Sequence, residues 1–236
     1  MTTIDQSILD GLELAPVPYD FFREVHKGLR LALFDVITFA GAASCEDAET
    51  RTEVVARVHA IVALLHSHHG HEDEFIKPLL DAHAPDLGAV VDAGHVEIDR
   101  DLAQLELAAD RLAGTQGGDA VSSGLDLYRM LALFTAKYLG HMEVEEGAVM
   151  GALRDAMSIG ELFEVDMALR AEVAPPTMCA FISVMVPAMN LEERTNMLGG
   201  MQAGAPAEIF EVFRAAAEAA LSPSDYQTVA ARLGLV

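Results

Sequence analysis

The spacing of apolar residues in the first two thirds of this chain is the feature that most constrains its fold. In four long segments the apolar side chains recur at steps of three and four, which is the period of one face of an α-helix. Aromatic residues make up only 6% of the chain, which favours helices over a β-sandwich or barrel. The predicted helices run from Tyr19 to about Gly41, from about Ala48 to Ala82, from about Leu87 to Ala113, and from about Val121 to Met157.

Proline and glycine mark the connections between these helices. Pro78 is expected to kink the second helix or end its regular part, because proline lacks the backbone N–H that a helix interior needs. The residue before Pro85 avoids the helical region, which predicts a turn there, and Gly114–Gly118 is the clearest loop. Residues 1–17 are predicted to form an irregular lead-in. Four long helices with short connections predict an all-α protein with an up-down-up-down four-helix bundle.

The remaining residues, 158–236, are predicted to form a C-terminal extension of about five short helices, divided by prolines and glycines. All nine histidines of the chain lie before this extension. We therefore divide the chain into a bundle, residues 1–157, and a C-terminal helical extension, residues 158–236. Packing on the bundle and a homodimer contact are the two roles we favour for the extension, and a pliable, methionine-rich docking surface is a third.

The formal net charge of −22 argues against two classes of partner. Such a surface repels nucleic acid and anionic membranes, so we expect neither to bind. The sequence has no uncharged apolar stretch of about 18 residues, and its N-terminus lacks the basic and apolar regions of a signal peptide. We therefore expect a cytoplasmic protein. Cys45 and Cys179 lie far apart and predict neither a disulfide framework nor a cysteine zinc site.

One histidine lies on the apolar stripe of each predicted bundle helix. Two of these histidines have a glutamate four residues later, and a third has an aspartate there. Residues four apart on a helix point in nearly the same direction, so each pair presents its side chains together. The stripe histidines are His26, His68, His95 and His141, and the carboxylates are Glu72, Asp99 and Glu145, with Glu146 as a substitute for Glu145.

The dense polar stretch His66–Glu74 contains competing candidates, and helical periodicity separates them. Every residue around His68 at the offsets of one helix face is apolar, whereas the face around His69 also holds polar residues. We therefore predict that His68 and Glu72 point into the bundle. The other histidines of the stretch are predicted to lie at the surface: His66, His69 and His71.

Carboxylates inside a bundle core are costly unless something compensates their charge. No lysine or arginine lies squarely on these faces except Arg30 and Lys137, each one turn from a histidine. A polyvalent cation is the simpler compensation. Four histidines and two or three carboxylates are too many ligands for one tetrahedral zinc ion, and suit two octahedral ions that share bridging carboxylates. The alternative is that these are four unrelated core histidines, and it explains less well why every bundle helix carries one.

These residues resemble the pattern of the hemerythrin or HHE cation-binding family. The resemblance covers about residues 19–157 and implies a four-helix bundle with a non-haem di-iron centre, in which an oxo or hydroxo group bridges two iron ions. One iron would keep an open position for dioxygen, peroxide or nitric oxide. The pattern is His26 … His68-x-x-x-Glu72 … His95-x-x-x-Asp99 … His141-x-x-x-Glu145, and the local phrases that match are Val25–Arg30, His68–Asp73 and His141–Glu146.

The resemblance also implies roles for these residues and a direction for the chemistry. Oxygen-carrying hemerythrins have a histidine where Asp99 stands and an aspartate, one position later, in place of Glu145. Whether Asp99 is a ligand, and whether Glu145 or Glu146 is the bridge, stays open. The resemblance places His95 and His141 on one iron, His26 and His68 on the iron with the open position, and Glu72 and Glu145 as bridges.

Compared with oxygen-carrying hemerythrins, this chain would have a ligand set with more carboxylates, which favours the ferric state. Oxidative chemistry is therefore favoured over oxygen storage. The expected functions are consumption of peroxide, as by a catalase or peroxidase, and reduction of nitric oxide, both under oxidative or nitrosative stress. Two alternatives stay open. One is a protein that binds or senses oxygen, nitric oxide or iron without turnover, and the other is a structural site for manganese or zinc.

Overall fold

The computed structural model describes residues 5–13 and 17–235, and within those ranges the chain is helical with no strand. The four longest helices are α2, α3, α5 and α6. The helices are α1 Gln6–Glu13, α2 Arg23–Ala42, α3 Ala48–Phe75, α4 Lys77–His83, α5 Pro85–Ala113, α6 Gly117–Val144, a π-helical turn Glu145–Val149, α7 Met150–Ala156, α8 Ile159–Glu172, α9 Pro175–Ala188, α10 Leu191–Gly204, α11 Ala207–Ala220 and α12 Pro223–Arg232.

The four long helices pack around one core. Helix α2 contacts α3, α3 contacts α5, α5 contacts α6, and α6 contacts α2, so the set closes into a ring. Each helix turns its apolar stripe inward, because burying apolar surface stabilises the fold by about 25 cal/mol per Å². One fully buried leucine represents each helix: Leu29, Leu65, Leu102 and Leu131, all at 0% exposure.

Three details differ from the sequence prediction. Residues 1–17 are not wholly irregular, because α1 occupies Gln6–Glu13; residues 1–4 and 14–16 lie outside the described ranges. Phe34 is apolar and lies three residues before Ile37 in the first predicted stripe, Leu29, Leu33, Phe34 and Ile37, yet it is 51% exposed. It follows Leu33 by one residue, and successive residues of a helix are turned about 100° apart, so both cannot face one core. The fourth predicted helix is not continuous, since the π-helical turn follows α6.

Pro78 acts as the sequence predicts. Helix α3 ends at Phe75, and Pro78 lies in the first turn of α4, where its missing N–H has no intrahelical partner to lose. After α7 the chain forms five short helices, α8 to α12. Within the described ranges no single helix is long and apolar enough to cross a membrane, and α8 and α9 meet that test only as a pair bent by 116°.

Helix α9 connects the C-terminal helices to the bundle. It packs on α2 and on α11, and Phe181, Met185 and Met189 are buried in the same core as the bundle leucines. Gly28 of α2 makes this contact close, because a Cβ there would lie 2.9 Å from the Met185 Cα. The opposite face of α9 packs in a second core with α10 to α12, through residues such as Ile182.

Candidate metal centre

Six of the seven predicted ligands meet inside the ring of long helices. Their donor atoms form two groups that share Glu72, and within each group the atoms lie within 4.8 Å of one another. Five of the six residues are buried, and the sixth, His141, has a side chain that is 11% exposed. One group contains Glu72, His95, His141 and Glu145, and the other contains His26, His68 and Glu72.

Glu72 lies between the two groups. Its Oε1 is 3.0 Å from the Nε2 of His68, which is four residues earlier on α3. The same oxygen is 3.9 Å from the Nε2 of His26, and the two Nε2 atoms of His26 and His68 are 3.1 Å apart. Oε2 points the other way, 3.6 Å from the Nε2 of His95. The carboxylate of Glu72 therefore has one oxygen for each end of the centre.

Glu145 spans the centre in the same manner. Its Oε1 is 2.9 Å from the Nε2 of His141 and 3.6 Å from the Nε2 of His95, while its Oε2 is 3.5 Å from the Nε2 of His26. Glu145 is the first residue of the π-helical turn. Such turns are rare and frequently occur at functional sites, and the apolar periodicity of the sequence contained no sign of it.

Two further carboxylates orient the histidine rings from outside. The Nδ1 of His26 lies 2.8 Å from the Oε1 of Glu146, and the Nδ1 of His95 lies 2.7 Å from the Oδ1 of Asp73. A partner on Nδ1 turns Nε2 toward the interior, as in many metal sites. Glu146 therefore lies outside both groups, where Arg30 also donates to it at 2.6 Å.

This orienting role was not predicted from the sequence, although the sequence contains a signal for it. Each inward glutamate is followed directly by a second carboxylate, as in Glu72-Asp73 and Glu145-Glu146. Neighbouring residues on a helix point about 100° apart. The second carboxylate therefore faces the adjacent helix, where it meets the outer nitrogen of a histidine.

Several donor atoms of the centre lack a hydrogen-bond partner in the protein. Seven buried side-chain N or O atoms in the described part of the chain have no hydrogen-bond partner. Leaving such an atom unpaired costs about 1–3 kcal/mol, so this concentration calls for a group that accepts lone pairs from all of them. A metal ion does so, and this donor set fits one. Five of the atoms belong to the centre: both carboxylate oxygens of Glu72, the Nε2 atoms of His95 and His141, and the Oε2 of Glu145.

Protonated histidines balance the carboxylates when no cation is bound. Burial opposes ionisation of Glu72, but the neighbouring charge of His68 and the close approach of the His26 and His68 imidazoles outweigh it and hold the pKa of Glu72 well below its usual range. Burial also opposes protonation of His26, yet its hydrogen bond to Glu146 and the nearby carboxylates of Glu72 and Glu145 raise the pKa of His26 to about 9. The pKa of His95 is likewise raised to about 9, against burial, by Glu145 and Glu72. A metal ion that binds here must displace these protons.

Asp99 is the one predicted ligand that the structure does not bring into either group. Its side chain is 53% exposed, and its Oδ1 lies 2.8 Å from the Nε2 of His69 and 3.3 Å from the Nδ1 of His66. The surface prediction was wrong for His69, which is only 5% exposed. Helix α5 packs on this side of α3 and covers the ring, a contact that the periodicity of α3 alone does not contain.

An apolar pocket opens beside His68. It holds about 80 Å³ and lies between the bundle and helices α8 to α10. His68 and Glu72 form part of its wall, so it reaches the group that contains His26. The other walls are mostly apolar, and the ion pair of Asp166 and Arg170 also lines the pocket. The aromatic and thioether side chains of the wall include Phe22, Phe181, Met178, Met185, Met197 and Met201.

Gly94 of α5 provides the space for one of the candidate ligands. A Cβ at this position would lie 2.8 Å from the Nδ1 of His141, so the Gly94→Ala variant should push the imidazole out of place and weaken metal binding about tenfold or more. Gly140→Ala is the matched control, since a Cβ there meets nothing within 4 Å and alanine stabilises a helix. Equal metal affinity in the two variants, measured by equilibrium dialysis, would contradict this account of Gly94.

Comparison with known proteins agrees with this geometry. A model of the hemerythrin HHE cation binding domain matches residues 17–153. The comparisons with curated proteins and with solved structures returned no match. The matched range contains both groups of donor residues and exceeds half of the 236 residues. This chain therefore belongs to the hemerythrin HHE cation-binding family.

Proposed function

We propose that the buried centre binds two iron ions, joined by an oxo or hydroxo group and by the carboxylates of Glu72 and Glu145, in an up-down-up-down bundle. The observation that carries this proposal is the placement of the carboxylate oxygens. Glu72 has one oxygen 3.0 Å from His68 and the other 3.6 Å from His95. Glu145 has one oxygen 2.9 Å from His141 and the other 3.5 Å from His26. A carboxylate that faces two sets of imidazoles suits a pair of ions better than a single one.

His26 and His68 would hold the ion with the open position. Their side of the centre borders the apolar pocket, whereas His95 and His141 lie on the other side of the two glutamates. Phe22, stacked on His26 at 5.1 Å between ring centroids, adds an apolar ring to the wall of the pocket on this side. A small ligand of low polarity or no charge would enter most readily, and dioxygen, nitric oxide and hydrogen peroxide are all uncharged.

The proposed activity is consumption of peroxide or nitric oxide under oxidative or nitrosative stress. An iron pair would supply a coordination position for the small ligand, and it would give electrons to that ligand or take electrons from it. The outer carboxylates Glu146 and Asp73 support this choice, because a carboxylate on the Nδ1 of a ligating histidine makes the ligand more basic. More basic, anionic ligands favour the higher oxidation state of the metal. Asp73 and Glu146 also hold the rings of His95 and His26 in one orientation.

A second function has its own support. Helix α9 packs on α2 close to His26 and adds Phe181 and Met185 to the wall of the pocket. A change in the centre would therefore reach the C-terminal helices through direct contacts. This arrangement favours a protein that binds or senses oxygen, nitric oxide or iron without turnover.

Metal analysis and turnover on one preparation separate these functions. We expect about two irons per chain and a visible spectrum of an oxo-bridged ferric pair. The iron-loaded protein should evolve oxygen from peroxide or consume nitric oxide. A stable adduct without consumption would favour the binding or sensing function. Manganese or zinc in place of iron would contradict the proposal and indicate a structural site.

The pocket allows a prediction about ligand entry. Met178→Trp should fill part of the pocket and slow the binding of nitric oxide to the reduced protein several-fold, as measured by stopped-flow absorption. Met167→Trp is the control, because Met167 lies on α8, is 47% exposed and does not line the pocket. Unchanged binding rates in Met178→Trp would show that small ligands reach the centre by another route.

A further inference from the structure

A third cluster of metal-binding side chains lies apart from the buried centre. His66 and His69 are one turn apart on α3, and Asp99 faces them from α5. The Oδ1 of Asp99 is 3.3 Å from the Nδ1 of His66 and 2.8 Å from the Nε2 of His69. One donor atom from each residue lies within 4.8 Å of the other two. None of these residues belongs to either group of the buried centre.

The three side chains combine access with a fixed ring. His66 and Asp99 have side chains that are 40% and 53% exposed, so an ion in solution can reach them. His69 is buried, with 5% exposure, and its Nε2 is the ring nitrogen that faces Asp99. Its Nδ1 has no hydrogen-bond partner among the described residues. Its ring packs against that of His95, with 5.3 Å between centroids. One imidazole is thus held in place while the other two ligands face solvent.

The same pair of helices contains an ordinary ion pair for comparison. His59 of α3 and Asp110 of α5 are 3.1 Å apart, with side chains that are 39% and 67% exposed. No second imidazole converges on that carboxylate within the described ranges. Two imidazoles on one carboxylate oxygen therefore distinguish the Asp99 cluster from a simple surface contact.

We propose that His66, His69 and Asp99 bind one divalent transition-metal ion at the surface of the bundle. Two imidazole nitrogens and one carboxylate oxygen are the ligands of many zinc sites with an open position, and they also suit cobalt and ferrous iron. The net charge of −22 raises the concentration of cations near such a site. The ion exchanges with solvent, because two of its three protein ligands are exposed.

Zinc binding to the full chain tests this site without reference to the chemistry of the buried centre. In equilibrium dialysis of metal-free protein against Zn²⁺, the parent should bind one more ion per chain than His66→Ala or Asp99→Asn. The affinity for that ion should fall about tenfold or more in each variant. His59→Ala and Asp110→Asn are the controls, since they make the same changes on the same two helices and should bind as the parent does.

Three outcomes decide the proposal. The difference of one zinc ion should persist when Glu72→Gln disables the buried centre, so failure of the di-iron proposal leaves this test intact. Equal zinc binding by parent and variants, with unchanged circular dichroism, would overturn the proposed site. Loss of metal in Asp99→Asn together with full binding in His66→Ala would also overturn it, because Asp99 would then belong to the buried centre.

Discussion

Replacing Glu72 by glutamine should remove nearly all bound iron from the protein, to about a tenth of the parent content or less. Glu72 belongs to both donor groups of the buried centre, so its loss weakens both ends at once. Glutamine has almost the same shape but no negative charge, and its NH₂ group presents protons to the cation. Metal content measured after purification and dialysis checks this expectation.

Glu74→Gln is the matched control for Glu72→Gln. Glu74 lies on the same helix two residues later and is exposed, so the substitution changes the net charge equally without touching the centre. Circular dichroism should show both variants folded. Two irons per chain in folded Glu72→Gln would contradict the bridging role of this carboxylate.

Replacing Leu102 by alanine should lower the free energy of unfolding by about 2–5 kcal/mol, because a buried leucine leaves a cavity as well as lost apolar burial. Leu102 is 0% exposed and belongs to the core that all four long helices share. Urea denaturation of the metal-free chain measures this difference without a contribution from metal binding.

Leu107→Ala separates burial from helix propensity. Leu107 lies on the same helix, α5, and is 51% exposed, so its replacement should change the free energy of unfolding by less than about 0.5 kcal/mol. Similar losses in the two variants would show that Leu102 does not lie in a tightly packed core.

The apolar spacing of the sequence was sufficient to predict the long helices. Leu102 and Leu131 lie at the apolar three-and-four steps of the third and fourth predicted helices, and both are 0% exposed in the structure. The same spacing put Glu145 on the stripe but left Glu146 open as a substitute. The structure directs Glu145 inward and Glu146 toward His26 and Arg30. Patterns within one helix are readable because the backbone geometry of a helix is the same everywhere.

The apolar spacing predicted neither the π-helical turn nor the burial of His69. A π turn adds one residue to a helical turn. Apolar residues are dense on both sides of Glu145–Val149, so the apolar spacing does not reveal the added residue. His69 is covered by α5 rather than by its own helix. Both features depend on the neighbours that a helix meets.

By itself, the sequence determined that His26, His68, His95 and His141 lie on the apolar faces of four different helices. Only the tertiary structure decided which side chains meet across helices. It brought Glu72 between two sets of imidazoles, and it paired Asp99 with His69 instead of the buried centre. The physical reason is that periodicity specifies direction from one helix axis, whereas contact between two helices also depends on their relative rotation and axial shift, which side-chain packing sets.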